Sequence, residues 1–257
     1  MKILFFIAAI FISIVASGQD TLNQQVTNKN FKRILISVNV SPDYCYRTVK
    51  DNEGSEFSSV IIAAENNNEV PKFGYSGGLN IFYGYRKNIG FELGLQYSTK
   101  GFAYRNIGLV FGDMINPRNG YGSSQSFGVS PLQARFIYNY NYIDIPVRAI
   151  YHFGKNKIHF VTSVGVTTNI LLNATQTVIV EDANGSSYTG TQNQDYKFKS
   201  INISPTFSIG VNYKINEKLN LQAEPTFRYG LINILDAPIS TYLWNAGLNI
   251  SCYYKLK

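Results

Sequence analysis

The sequence contains few cysteines, few histidines and few charged residues. Among its 257 residues are two cysteines and two histidines, and Asp, Glu, Lys and Arg make up only 15%, against about 25% in a typical soluble protein. Two cysteines exclude a disulfide-rich scaffold and a cysteine-rich zinc site. The shortage of charge argues against an ordinary cytosolic enzyme, whose surface needs more lysine and glutamate. The 23 basic residues are scattered, so nucleic-acid binding is not expected.

Long apolar runs are also missing, apart from one at the start of the chain. Residues 3–16 are almost entirely apolar, and Ala16-Ser17-Gly18 supplies the small residues of a signal-peptidase site. The run is shorter than the roughly 20 residues that a membrane-spanning helix needs. We therefore predict a signal peptide over residues 1–18, a periplasmic N-terminal segment over 19–31 and a folded domain over 32–257.

The remainder of the chain alternates between apolar and polar residues. From Ile201 to Tyr213, every second residue is apolar or proline, and the residues between are Asn, Ser, Thr or Gly. A period of two predicts extended strands with two chemically different faces. The same pattern recurs, clearly or weakly, over 34–41, 73–86, 89–101, 138–153, 158–172, 219–229 and 244–251. The sequence thus predicts eight strands, most of them longer than usual.

Short and long connections alternate between these strands. Tight turns are predicted at 87–88, 154–157 and 216–218, and long polar loops at 43–70, 102–134, 173–197 and 232–240. This order predicts an antiparallel up-and-down meander with short turns at one end and long loops at the other. Ten strands stay open as an alternative if loop 43–70 or loop 102–134 holds a further hairpin.

The composition of the polar face distinguishes two kinds of barrel. A soluble lipocalin-like barrel turns its apolar face inward, and a membrane barrel turns it outward. Here the polar face is mostly Gly, Ser, Asn and Thr, small groups that fit a narrow barrel interior. Tyr, Phe and Trp occur near strand ends, where a membrane barrel has aromatic girdles. We predict an all-β fold, an eight-stranded antiparallel up-and-down transmembrane β-barrel, with a soluble barrel or sandwich as the alternative.

Three segments resemble a known family. They are Gly94–Gly101 (GLQYSTKG), Tyr142–Arg148 (YIDIPVR) and Arg228–Ile234 (RYGLINI). Through them, the chain from about residue 32 onward resembles the PorT-like outer-membrane β-barrel family of Bacteroidota. The resemblance implies a barrel in the outer membrane of a Gram-negative bacterium, with outer-membrane lipid and the barrel-assembly machinery as partners. Because named members are tied to secretion and gliding machinery, a secretion or surface protein partner stays open.

Six charged residues have the inward-facing parity of the predicted strands: Glu92, Lys100, Asp144, Arg148, Glu224 and Arg228. Unpaired charges in a narrow interior are costly, so we expect a structural network of ion pairs. Glu92, Arg148 and Glu224 are expected near the short turns, and Arg228 in the same layer as Asp144. A selectivity ring or gated pathway is the alternative, and catalytic carboxylates are a third.

The histidines and cysteines suggest no further site. His152 and His159 flank one tight turn with inward parity, and no Cys, Asp or Glu spacing supplies further metal ligands. The predicted long loops hold no histidine, so a Ser-His-Asp triad is not expected. Cys45 and Cys252 are predicted to lie too far apart for a disulfide, with Cys252 facing lipid.

The function expected from the sequence is that of a non-enzymatic outer-membrane protein, structural or accessory to surface assembly or secretion. No cofactor and no metal are expected. A small-solute channel is the alternative, and a membrane-embedded hydrolase or acyltransferase is a third. Any specific recognition should reside in the long loops.

Overall fold

Long antiparallel strands make up almost the whole fold. The computed structural model describes residues 33–52, 54, 62, 68–109, 132–154, 156–181, 187–235 and 239–256. The strands are β1 Arg33–Asp51, β2 Glu69–Gly84, β3 Ile89–Leu109, β4 Leu132–Phe153, β5 Ile158–Glu181, β6 Ser187–Asn193, β7 Ile201–Lys214, β8 Leu219–Tyr229 and β9 Ile239–Lys255. The described ranges contain no helix long and apolar enough to cross a membrane. The predictions for residues 1–18 and 19–31 lie outside these ranges.

Eight of the described strands close into a ring. Each of β1 to β5 pairs antiparallel with the next, β5 pairs with β7, and β7, β8 and β9 follow in order. β1 pairs with β9 in a register that places Val38 opposite Cys252 and Cys45 opposite Asn245. β6 extends the sheet beside the far end of β5, opposite residues 175–181. The predicted eight-stranded up-and-down barrel is confirmed. Among the described residues, the additional strand lies within 173–197, and most of the two loops where the sequence left a further hairpin open lies outside the described residues.

The two ends of the barrel differ. Connections 85–88, 154–157 and 215–218 join strands at one end, which we call the short-turn end, and the opposite end is the long-loop end. The strands extend further toward the long-loop end than predicted, because β1 continues to Asp51, β3 to Leu109 and β5 to Glu181. Along 176–180 of β5 every side chain is half-buried, and Val178, Ile179 and Val180 place apolar side chains on both faces. The period-two signal therefore disappears although the strand continues.

Burial is the reverse of that in a soluble protein. Outward-facing Leu79 and Val164 are 64% and 61% exposed, whereas inward-facing Ser41 and Glu224 are 1% and 0% exposed. The ladder satisfies the backbone groups within the ring, so the outer surface can be wholly apolar and meet hydrocarbon. This distribution is that of a membrane barrel.

Aromatic side chains on the outer face lie near both ends. Toward the long loops, the Trp244 ring lies 6.0–6.3 Å from the rings of Tyr44, Tyr46 and Phe227, and toward the short turns Tyr151 and Phe153 are 4.4 Å apart. The outward side chains of β1 between these bands are apolar. Ten residues of strand at about 3.3 Å each, tilted by about 40°, rise about 25 Å, which is the height of the apolar band of a membrane barrel.

Replacing Val164 with Arg should reduce the free energy of unfolding in lipid vesicles by about 2–4 kcal/mol, because the cation would lie near the bilayer midplane. The matched control is Tyr188→Arg on β6, beyond the aromatic band, which should change it by less than about 1 kcal/mol. Denaturant titration of the vesicle-reconstituted chain measures both values. Equal effects would place Val164 outside the lipid band.

Candidate functional site

The interior of the barrel is occupied by apolar clusters at both ends. The short-turn cluster contains Leu35, Phe82, Ile150, Val161 and Tyr253. The long-loop cluster contains Phe102, Tyr140, Tyr142, Ala174, Ile234 and Leu243. Between them, the inward positions carry buried Ser, Thr, Asn and charged side chains. The charged groups are therefore separated from bulk water on both sides.

Arg148 on β4 connects the two carboxylates nearest the short-turn end. Its Nε donates to Glu92 Oε1 at 3.1 Å, its Nη2 contacts the same oxygen, and its Nη1 lies 3.2 Å from Glu224 Oε2. Glu92 is directly opposite Arg148 in the β3–β4 ladder, whereas Glu224 reaches it from β8. One guanidinium thus joins separate walls of the barrel.

Hydroxyl groups complete this Arg148 cluster. Tyr253 Oη donates to Glu92 Oε2 at 2.5 Å, and Ser208 Oγ donates to Glu224 Oε1 at 2.8 Å. Arg148 Nη1 in turn donates to Ser163 Oγ at 3.3 Å. Charge-assisted hydrogen bonds of this kind offset the cost of burying the ions.

Two further ion pairs lie nearer the long loops. Lys100 Nζ is 3.2 Å from Asp144 Oδ2, and Arg228 Nη1 is 3.5 Å from Asp43 Oδ1. The expectation that Arg228 belongs with Asp144 is wrong. β8 pairs with β9, which places Arg228 opposite Asn245, beside β1 and away from β4.

The Asp43 carboxylate has a well-defined position. Ser41 Oγ donates to Oδ1 at 2.7 Å, and Ser76 Oγ and Asn245 Nδ2 each donate to Oδ2 at 3.0 Å. Opposite Asp43 on β9 is Gly247, where any side chain would overlap the carboxylate. The carboxylate is therefore held mainly by neutral donors, and Arg228 adds a longer charge contact.

Four further charged side chains face inward, although they are not among the six predicted from the sequence: Asp43, Arg47, Glu69 and Lys72. Arg47 Nε donates to Glu69 Oε2 at 2.9 Å, and the guanidinium lies 4.1 Å from the centre of the Phe102 ring. Lys72 Nζ donates to Thr99 Oγ1 at 3.4 Å and contacts Asn139 Oδ1. The signal for Asp43 and Arg47 is the inward parity of β1, which continues past Ser41.

Together with the six charged residues predicted from the sequence, these four give ten inward charged side chains among the described residues. Five are acidic and five are basic: Asp43, Glu69, Glu92, Asp144 and Glu224, and Arg47, Lys72, Lys100, Arg148 and Arg228. The structure brings Glu92, Arg148 and Glu224 into one cluster and Lys100 and Asp144 into another. The arrangement is balanced in charge, and nine of these ten side chains make contacts with an opposite charge, which suits a structural filling of the lumen.

The histidines and cysteines lie where the sequence suggests. His152 and His159 both sit at the short-turn end, with His152 Nδ1 3.2 Å from His159 Nε2. Cys45 is buried, Cys252 is exposed, and both are free thiols, as predicted. In the part of the chain that the structure describes, no three His, Cys, Asp or Glu side chains converge on a metal position.

Replacing Arg148 with Met should reduce the free energy of unfolding by about 3–5 kcal/mol, because two buried carboxylates lose their cation. The control Lys218→Met, in an exposed turn, should cost no more than about 0.5 kcal/mol. Adding Glu92→Gln and Glu224→Gln to Arg148→Met should restore part of the loss. Denaturant titration in detergent gives all three values, and an unchanged transition for Arg148→Met would mean that water solvates the carboxylates.

A double-mutant cycle should distinguish the two possible partners of Arg228. Arg228→Met and Asp43→Asn should couple by about 0.5–3 kcal/mol in the free energy of unfolding, because their side chains interact directly. Arg228→Met and Asp144→Asn should be additive within about 0.5 kcal/mol. Coupling of Arg228 with Asp144 and additivity with Asp43 would instead support the shared layer of Arg228 and Asp144 that the sequence predicts.

The chain matches one family model and is similar to several solved structures. Residues 22–236 match the family model described as outer membrane protein beta-barrel domain. Similar solved structures include Neisserial surface protein A, NspA (10% identity, 85% of this chain and 95% of that chain, TM-score 0.39). Another is the outer membrane protein OprG from Pseudomonas aeruginosa (9% identity, 86% of this chain and 95% of that chain, TM-score 0.39). A third is the outer membrane protease OmpT from Escherichia coli (7% identity, 92% of this chain and 99% of that chain, TM-score 0.41).

The comparison with curated proteins finds no match. The family model nevertheless covers most of the chain, and the strands close into a barrel as the family description states. This chain belongs to the family of outer membrane protein beta-barrel domains, and it is an outer-membrane protein.

Proposed function

We propose that this protein is a non-conducting, non-enzymatic barrel with a structural or accessory role in surface assembly or secretion. The observation that most supports this proposal is the filled lumen, in which charged side chains pair with one another between two apolar clusters. A solute would have to break these pairs to pass. A filled barrel instead provides a rigid membrane anchor for the segments at its long-loop end.

A chain of amides across four strands adds to this support. Gln96 Nε2 donates to Asn80 Oδ1 at 2.9 Å, and Asn80 Nδ2 donates to Asn39 Oδ1 at 3.2 Å. Asn39 Nδ2 then donates to Asn249 Oδ1 at 2.9 Å. These hydrogen bonds connect β3, β2, β1 and β9 across the interior. Side chains that satisfy each other in this way leave few groups to bind a passing solute.

The side chains that chemistry would need are engaged with one another. Ser163 and Ser208 share a hydrogen bond of 2.7 Å and contact the Arg148 cluster. His152 and His159 pair with each other at the short-turn end. The proposal therefore assigns no catalytic residue, since no described serine faces a histidine as a triad requires.

The long-loop end is the proposed contact surface, and it faces the cell exterior in this proposal. Long loops outside and short turns in the periplasm are the usual arrangement of outer-membrane barrels. There β3, β4 and β5 continue as a sheet that β6 extends, and all seven residues of β6 are exposed. The proposed partner is a secretion or surface protein. Export by the signal peptide over 1–18 and PorT-like membership in Bacteroidota are part of the same proposal.

Planar-bilayer recording of the refolded chain tests the non-conducting function. Folding is first verified by heat-modifiable migration in gels. We expect no stable, reproducible openings, because ion-paired and hydrogen-bonded side chains occupy the described interior between the two apolar clusters. Reproducible openings would overturn this function and support a small-solute channel.

Deletion of the gene in the native bacterium tests the accessory role. Secretion or surface assembly should be impaired and then restored by the wild-type chain. Unimpaired secretion and surface assembly, with the barrel shown to be expressed in the parent strain, would contradict the role while leaving the non-conducting function intact.

A further inference from the structure

The two histidines of this chain face each other across the hairpin formed by β4 and β5. His152 Nδ1 and His159 Nε2 are 3.2 Å apart, and the ring centroids are 5.3 Å apart. We propose that this pair binds a divalent transition metal, with Zn²⁺ as the best fit, at the short-turn end of the lumen. The site is independent of the proposed function of the barrel.

The nitrogen–nitrogen distance matches what one metal ion requires. Zn–N bonds are about 2.0–2.1 Å long, so an ion bound to nitrogens at this separation subtends an angle of roughly 100–106°, near the tetrahedral value. The distance also suits a hydrogen bond, in which one ring donates its proton to the other. On metal binding, both facing lone pairs go to the ion, and each neutral ring carries its proton on its outer nitrogen.

The hairpin holds both rings in place before any metal binds. His152 is opposite Val161 in the ladder, so His159 lies diagonally across from it on the same inward face. Gly154, with φ 97°, adopts the left-handed backbone of the turn between them. The His152 ring also packs edge-on against Phe82, with centroids 5.8 Å apart. Binding therefore needs little reorganisation of the rings, which favours affinity.

The donor set determines the class of metal. Two imidazoles suit Zn²⁺, Ni²⁺ and Cu²⁺, whereas Mg²⁺ and Ca²⁺ prefer oxygen ligands. Because the described residues offer no third His, Cys, Asp or Glu, water completes the coordination. Both histidines lie within two residues of a strand end, so ion and water can enter without crossing the lumen. Nearby positive charge from Lys214 and Arg33, partly offset by Glu224, makes the site weaker than a structural zinc site.

Isothermal titration of the untagged chain in detergent with Zn²⁺ tests the site. We expect one Zn²⁺ per barrel and no binding of Mg²⁺. His152→Asn and His159→Asn should each weaken Zn²⁺ binding at least about ten-fold. Lys157→Gln, in the same turn, should leave the affinity unchanged and serves as the matched control. Binding that persists undiminished in both Asn variants would overturn the proposal.

A second measurement requires no variant. With two histidines in the chain, ¹⁵N spectra of the imidazoles contain two ring systems. Saturating Zn²⁺ should shift the Nδ1 resonance of His152 and the Nε2 resonance of His159, and Mg²⁺ should shift neither. Unchanged imidazole resonances at millimolar Zn²⁺ would also overturn the proposal.

Discussion

Hydrogen bonding between β1 and β9 closes the sheet, and the narrow interior that this closure creates determines what each strand can carry. A ring of eight strands leaves room for side chains and little else. Inward positions are therefore Ser, Thr, Asn and Gly with a limited set of long charged residues. Gly247 opposite Asp43 illustrates the constraint, because the carboxylate occupies the space that a second side chain would need. Side chains at outward positions are not confined by the narrow interior, and they are large and apolar.

Closure also explains why the interior charges are paired. Taking a charge from water into a filled lumen is tolerated when an opposite charge and hydrogen-bond donors satisfy it. Arg148 meets this condition for two carboxylates at once. Lys100 and Arg47 each pair with one carboxylate, Asp144 and Glu69 respectively. The Arg47 guanidinium also donates to Thr241 Oγ1 at 3.4 Å and to Tyr104 Oη at 3.1 Å. Arg228 is bound less closely, since its 3.5 Å contact is to a carboxylate that three neutral groups already hold.

The sequence predicts the class of fold and the inward parity of the six charged residues, because parity is a local property of each strand. It does not predict partners, which depend on register and on the order of strands around the ring. Arg228 therefore meets Asp43 and not Asp144. It also misses inward charges such as Arg47 and Glu69, because apolar and polar residues no longer alternate where the strands rise beyond the lipid band. The approach of His152 to His159 likewise depends on the hairpin register.

The interior charges are balanced in number but not in position. The Arg148 cluster near the short turns has two carboxylates for one guanidinium, an excess of one negative charge. Lys72, toward the long loops, makes its hydrogen bonds to the neutral groups of Thr99 and Asn139, an excess of one positive charge. In a filled lumen of low polarisability, charges separated in this way interact over longer distances than in water. The short-turn end of the lumen therefore carries the excess negative charge, and this excess partly offsets the positive charge of Lys214 and Arg33 beside the two imidazoles.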